Sequence, residues 1–456
     1  MVNNWLTPMK TTKSRASFII LSVCCSLINL GQQTDSCNLL IRASEKGQIE
    51  IIRLLINQGI DPNCRGMHQY TPLIAAAKYN HIDAVILLCR NNADINARSE
   101  FLDPDEAFTP LLWAIVNGNI FMTEFLLDNG ADPNLSDGWG NTPLKHAATL
   151  GSLPLVRLLV AKGANIGHRR NPGGRSAIFD AMLKANMPIV EFLIQNGEDP
   201  KIEDSNGVDL LMVAANTANI DGVKYLIEQG IDLHNRTRFG TTAMHLAAGH
   251  DSAEGFSVVS YLIEMGGDIS ARDEHGETPL MVAANHGAVD AARILLEKGA
   301  NVNEKNEKGQ SPIHFAARGI RPEKKNEIVN LLLARGAYVN AADNEGCTPL
   351  MVASKYPEVQ LIESLIKQGA KVDLQDQEGW TALMYAAYWN RVGVIKLLIN
   401  RGADTHIKTS SGKTALSIAE DTTRSQEAYD FLKSLIYRDF SGQKPSISTD
   451  KNKSAD

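Results

Sequence analysis

The sequence predicts an all-α fold, a solenoid of stacked helix pairs with β-turn fingers. Three observations predict it: a period near 33 residues, a capped two-helix pattern inside each period, and a composition suited to an aliphatic core. The copies register on Thr71, Thr109, Thr142, Ser176, Asp209, Thr242, Thr278, Ser311, Thr348, Thr381 and Thr414, at spacings of 38, 33, 34, 33, 33, 36, 33, 37, 33 and 33 residues. A recurrence of this length signals repeat architecture before any residue is read as a catalyst. An unanchored copy, from Asn38 through Ala43 to Leu54, Leu55 and Gly59, lies one period upstream, giving about twelve copies.

The copy from Asp273 to Asn303 shows how the elements arise. Thr278 is placed to cap a helix, and Pro279 fills its first turn, where a missing N–H costs nothing. Leu280, Ala283 and Ala284 give that helix a narrow apolar face that lets a second helix approach closely. Val289, Ile294, Leu295 and Leu296 belong to the second helix, and Gly299 stops it as a residue tolerant of positive φ. The link from Asn301 to Gly309 is almost wholly polar and ends in glycine, so it reads as a turn or hairpin finger. Each copy is therefore two antiparallel helices and a protruding turn.

The segments Gly276 to Ala284, Gly309 to Ala317 and Gly346 to Ala353 follow Gly-x-Thr/Ser-Pro-Leu/Ile, and Leu126 to Asn134 and Leu295 to Asn303 follow Leu-Leu-x-x-Gly-Ala-Asp/Asn-x-Asn. In these motifs the chain resembles the ankyrin repeat family over roughly residues 37 to 435. The resemblance implies an ankyrin-type α-solenoid that binds a protein partner across a concave surface of fingers and first helices. It also implies that His245 and His314 hydrogen-bond between turns. Asp209 and Ser176 depart from the pattern, and their two neighbouring copies are expected to be the softer part of the stack.

A repeat stack grows by adding copies, so the 456 residues are read as one elongated repeat domain, residues 37–437, rather than several globular ones. The 44% hydrophobic content supports a continuous core, and the 6% aromatic content matches one built from Leu, Ile, Val and Ala. The net charge of −7 and the lack of a basic stripe argue against nucleic acid as a partner. A monomer is expected.

Residues 1–31 form the second informative region. Lys10, Lys13 and Arg15 precede an uncharged apolar run from Ala16 to Leu30, the n-region and h-region of a secretory signal. The run is short for a membrane span. Leu21-Ser22-Val23-Cys24 partly resembles a lipoprotein box, but Val23 fits poorly before the modified cysteine, so cleavage is weighted above a lipid or membrane anchor. Export to a periplasmic, secreted or lipid-anchored location is expected; the alternative is a cytoplasmic ankyrin effector or regulator with no cleaved signal, whose N-terminus is an apolar capping helix. Of the six cysteines, Cys37, Cys64, Cys89 and Cys347 lie outside this region and lack CxxC spacing, which argues against a common zinc motif. Pairing of Cys64 with Cys37 or with Cys89 and free thiols are equally open readings. At the other end, residues 441–456 read as a disordered tail.

Catalysis is not expected, nor is a metal or cofactor. No HExxH, Gly-x-Ser-x-Gly or Walker-type GxxxxGK[ST] occurs, and Pro172-Gly173-Gly174-Arg175 lacks the strand and lysine of a phosphate loop. Asp273, Asp343 and Asp376 recur once per copy, as turn hydrogen bonding requires and a catalytic pair does not.

Positions without packing duty flank the anchors, and the aromatics there are the candidate contacts for a protein partner: Tyr79, Trp139, Phe239, Tyr356, Trp380, Tyr388 and Trp389. The densest set is Tyr356, Trp380, Tyr388 and Trp389, on two adjacent copies, and Tyr and Trp are enriched in interface hot spots. The competing reading packs Trp380 on the neighbouring finger and Trp389 on the next helix. Arg169, Arg170 and Arg175 form a basic finger, and the insertion from Ser99 to Phe108 is acidic. Two further insertions, Asp251 to Gly255 and Arg318 to Lys325, are expected as loops between paired helices.

Overall fold

A computed structural model describes residues 33–66, 69–99, 107–169, 174–422 and 425–440. The signal-like segment, most of the acidic insertion, Arg170 with the start of the glycine turn, and the C-terminal tail lie outside these residues. The described residues form 24 helices, from Gln33–Glu45 to Gln426–Phe440, and no strand beyond an isolated bridge between Glu203 and Asp209. They divide into two compact units that meet at Pro200 and Lys201, between the copies anchored at Ser176 and Asp209. Each unit is an all-α solenoid in which a first helix packs on the first helix of the next copy and on its own second helix.

The anchors act as the sequence predicts. The hydroxyls of Thr71, Thr109, Thr142, Thr278, Thr348, Thr381 and Thr414 accept hydrogen bonds from the backbone N–H three residues on. Asp209 serves equally: one carboxylate oxygen accepts from Met212 N at 2.8 Å and the other from Asn235 at 2.9 Å. Its first helix, Leu210–Asn216, is seven residues long and is buried along Leu210–Ala215. Ser176 is the true departure. Its hydroxyl donates to Glu198 at 2.7 Å, and its helix has no side-chain cap.

The fingers hold their shape by local hydrogen bonding. In the second unit Asp273, Asn306, Asp343 and Asp376 each accept backbone N–H groups two and four residues on, at 2.8–3.0 Å. Adjacent fingers are then joined by single backbone bonds of 2.8–3.0 Å, Arg238 N to Asn206 O, Glu274 N to Phe239 O, Glu307 N to His275 O, Asn344 N to Lys308 O, Gln377 N to Glu345 O and Ser410 N to Glu378 O. Gly379 shows what this approach demands: at φ +80°, a Cβ would lie 2.9 Å from Ser410 N. Glycine meets both constraints.

The two insertions expected as loops instead lengthen the helices that follow them, with Asp251, Ser252 and residues 319–321 left in the connections. Second helices are nine residues long in nine of the twelve pairs. Where the anchor spacing is 36 the second helix is Ala253–Glu264, 12 residues; where it is 37 the helix is Pro322–Ala334, 13 residues. The extra three and four residues are about one turn of 3.6, so the helix lengthens without rotating its buried face and satisfies its own backbone. The entries to the two long helices are tied together, with Arg321 donating to Asp251 at 3.0 Å and Lys324 lying 3.8 Å from it.

Near the N-terminus Cys37 and Cys64 form a disulfide, with Cα atoms 5.8 Å apart. It joins the first helix to the first finger beside Ile41, Ala75 and Tyr70. Of the pairings left open by the sequence this is the one formed, and Cys89 and Cys347 are free thiols.

Candidate recognition face

In the copy anchored at Thr381, the helix Ala382–Tyr388 presents one face beside its finger. Trp380 precedes the cap, and its indole lies 5.1 Å from the Tyr385 ring and 5.8 Å from the Tyr388 ring. Tyr388 meets Trp389 edge-on at 5.4 Å. Residues at about one-turn intervals share a helix face, which is why these rings form one patch. Tyr388 is 43% exposed and Trp389 45%, while Trp380 is half-buried. The indole of Trp380 therefore packs within its own copy, on Tyr385 and Tyr388.

Tyr385 was not among the candidates from sequence, yet it holds the patch together. Its hydroxyl donates to Asp376 Oδ2 at 2.7 Å, tying the helix to the carboxylate that shapes the finger. Burial, with Cys347 and Asp376 beside it, pushes the phenol well above its ordinary value, so it stays a donor. Lys355, from the preceding copy, sits over its ring at 4.4 Å. The signal available was register: the fourth residue after the anchor faces the fingers, and here it is aromatic.

Tyr356 does not join the patch. Its half-buried ring lies under the ammonium of Lys325 at 3.8 Å, and Lys325 pairs with Glu358 at 3.2 Å. Lys325 is itself buried, which lowers its pKa despite that partner. Phe239 sits at a finger tip, exposed, with the Arg238 guanidinium 4.5 Å above its ring.

The first unit carries a comparable row at the same register. Trp113 and His146 are fourth residues after their anchors; Phe108 lies 4.8 Å from Trp113 and 5.5 Å from His146, and Lys78 lies 4.9 Å over Trp113. His146 Nε2 is 2.9 Å from Asp137 Oδ2, repeating the Tyr385–Asp376 arrangement with a different side chain. Burial alone would raise the Asp137 carboxyl, but hydrogen bonds from His146 and Asn141 outweigh it and hold the carboxyl below its ordinary value. Trp139 stands exposed on that finger, its backbone N–H donating to Asp137 Oδ1, and Tyr79 is exposed at the end of the helix Pro72–Lys78.

His245 and His314, in the second unit, are structural. His245 Nδ1 faces the Thr242 cap at 2.9 Å and its Nε2 lies 3.0 Å from Glu277 O in the next copy; His314 Nε2 lies 3.1 Å from Cys347 O. Burial lowers both pKa values below the ordinary 6.5. The unfolded chain then binds protons that the folded chain refuses, so their contribution is present above 6.5 and is lost as pH falls. The urea midpoint is expected to drop between pH 7.5 and 5.5, and to drop less in His245→Gln/His314→Gln. Buried carboxyls such as Asp209, whose pKa burial raises, act in the opposite sense but equally in both proteins. Equal drops in the two proteins would contradict the assignment.

Among the described residues no group of three or more His, Cys, Asp or Glu could hold a metal ion, and no helix is long and apolar enough to cross a membrane.

Helix pairs repeated in register, with fingers and first helices sharing one face, define a repeat-solenoid class. The family model for ankyrin repeats matches residues 16–99, 100–170, 178–273, 211–306, 251–343, 313–409 and 350–445, and the chain belongs to the ankyrin repeat family. It is similar to the ankyrin repeat and KH domain-containing protein mask-1 of Caenorhabditis elegans, 30% identical over 41% of this chain and 7% of that protein. It is also similar to ankyrin repeat and SOCS box protein 3 of Homo sapiens, 30% identical over 41% of this chain and 36% of that one. A putative ankyrin repeat protein of Fowlpox virus, FPV031, is 32% identical over 36% of this chain and 48% of its own. The chain thus spans less than half the length of each of these relatives. The crystal structure of the human ASB11 ankyrin repeat domain is 30% identical, covering 48% of this chain and 95% of that one, with a TM-score of 0.42. Ankyrin repeats form a protein–protein interaction domain.

Proposed function

We propose that this chain is a non-enzymatic scaffold that holds a protein partner across the face made by its fingers and first helices. The observation that carries the reading is the joined patch of Trp380, Tyr385, Tyr388 and Trp389. Large rigid rings left partly in water gain from being covered, at little conformational cost. In the complex, hydrogen exchange is expected to slow along residues 376–389 and to stay unchanged in the helix Val392–Asn400 behind them. Protection centred on Val392–Asn400 would place the partner on the opposite face.

We further propose that the protein is exported. The basic and apolar segment from Lys10 to Leu30 supports this, and so does the Cys37–Cys64 disulfide, since such bonds persist in oxidising compartments. Because Cys37 pairs with Cys64, cleavage that keeps the disulfide falls before Cys37. Protein recovered from its own cells is expected to begin between Cys25 and Cys37 and to resist thiol alkylation at Cys37 and Cys64. Recovery from the cytosol starting at Met1, with both thiols alkylated, would contradict export.

A further inference from the structure

We propose that the cleft between the copies anchored at Thr242 and Thr278 is a binding site for a primary carboxamide, offered as a small aliphatic amide or as the side chain of a glutamine in a peptide. The site lies in the second unit, several copies away from the Trp380 patch, and does not depend on that patch being the partner site.

The chain itself shows which group fits there. After the second helix, Asn63, Asn96, Asn134, Asn303 and Asn340 each bridge to the next copy in the same way. The side-chain amide donates to one backbone carbonyl of that copy and accepts the N–H two residues further on, at 2.6–3.2 Å. At the same register the junction carries Ser270, whose short side chain turns back to Asp268 at 2.7 Å. The two groups that an asparagine there would bridge are the carbonyl of Gly299 and the N–H of Asn301, and neither has a hydrogen-bond partner among the described residues. Asn301 lines a cavity of about 260 Å³ together with Ile269, Ser270, Leu280, Ala300 and Glu304. Gly167 supplies the contrast. It lacks the amide too, but Glu198 of the next copy takes up that space, its Oε2 3.7 Å from where a Cβ would lie. At the Ser270 junction the residue at the register of Glu198 is Ala300, which leaves the space open.

A primary carboxamide donates and accepts in one plane, as these two backbone groups require. An ammonium ion can only donate and a carboxylate can only accept, so each leaves one group unmatched. The carboxylate also approaches Glu304. That residue is already committed, accepting from Arg272 at 2.6 Å and from Asn301 Nδ2 at 2.9 Å, which fixes the polar wall of the cavity. Ile269 and Leu280 form an apolar wall suited to an aliphatic stem.

The test uses the isotope-labelled full chain and follows the Asn301 backbone amide by NMR during titration with isobutyramide, isobutyrate and isobutylammonium. Isobutyramide is expected to shift this signal saturably and to bind about tenfold more tightly than either ion, the effect of one unmatched hydrogen bond. Ser270→Asn supplies the bridge from within the chain, so it should slow hydrogen exchange at Asn301 and weaken isobutyramide by about tenfold or more, while Ser270→Ala leaves binding unchanged. No saturable shift, equal or tighter binding of either ion, or undiminished amide binding in Ser270→Asn would overturn the proposal. Unslowed exchange at Asn301 in Ser270→Asn would overturn it as well, since the bridge geometry would then be wrong. N-acetylglutamine methylamide distinguishes the sources: binding tighter than isobutyramide assigns the site to a glutamine side chain, weaker binding to a small amide, and both support a carboxamide site.

Discussion

Leu295→Ala is expected to destabilise the second unit by about 2 to 5 kcal/mol, the range for truncating a fully buried leucine that leaves a cavity. Leu295 has no exposed surface and lies on the inner face of the helix Val289–Glu297, with Ala291 and Ala292 buried beside it. Its flanking copies carry the extra helical turns joined through Asp251 and Arg321, so the site has little freedom to collapse. Repeats couple chiefly to their neighbours, and the loss is expected to be local. Hydrogen exchange should accelerate in the copies anchored at Thr242, Thr278 and Ser311 and remain unchanged around Thr71. Equal acceleration around Thr71 would contradict nearest-neighbour coupling.

Much of this fold is legible because each copy restates the same local physics. Thr-Pro at a helix start, small residues on the first helix and glycine after the second are short-range signals, and eleven anchors in register remove the ambiguity of any one. The insertions were misread for a physical reason. Sequence reports that three or four residues are added but not whether they extend a helix or bulge from it, and the answer depends on the fit of one turn beside the neighbouring copy. Asp209 looked like a defect because it lacks a hydroxyl, yet a carboxylate caps as well when Asn235 takes its second oxygen.

The candidate site was legible in part. Trp380, Tyr388 and Trp389 stand at positions free of packing duty, and the structure brings them together. Tyr356 stands at a similar position but covers Lys325, a contact supplied by the insertion in the preceding copy and invisible from its own copy. Tyr385 was hidden by the same logic in reverse, since its position is aliphatic in most copies and is read as core.

The claim that this patch is a binding surface is tested most directly by removing its outer rings while leaving Tyr385 and its bond to Asp376 in place. Trp380→Ala/Trp389→Ala should keep helical content and melting temperature nearly unchanged, because Trp389 is 45% exposed and Trp380 contacts rings of its own copy. Retention of the partner from the protein's own cells, measured as affinity by titration, should weaken at least tenfold, about 1.4 kcal/mol. That is a modest fraction of what buried interface tryptophans can cost when truncated. Unchanged affinity at unchanged melting temperature would contradict the account and move the binding surface to other fingers, those of Trp139 and Phe239 first.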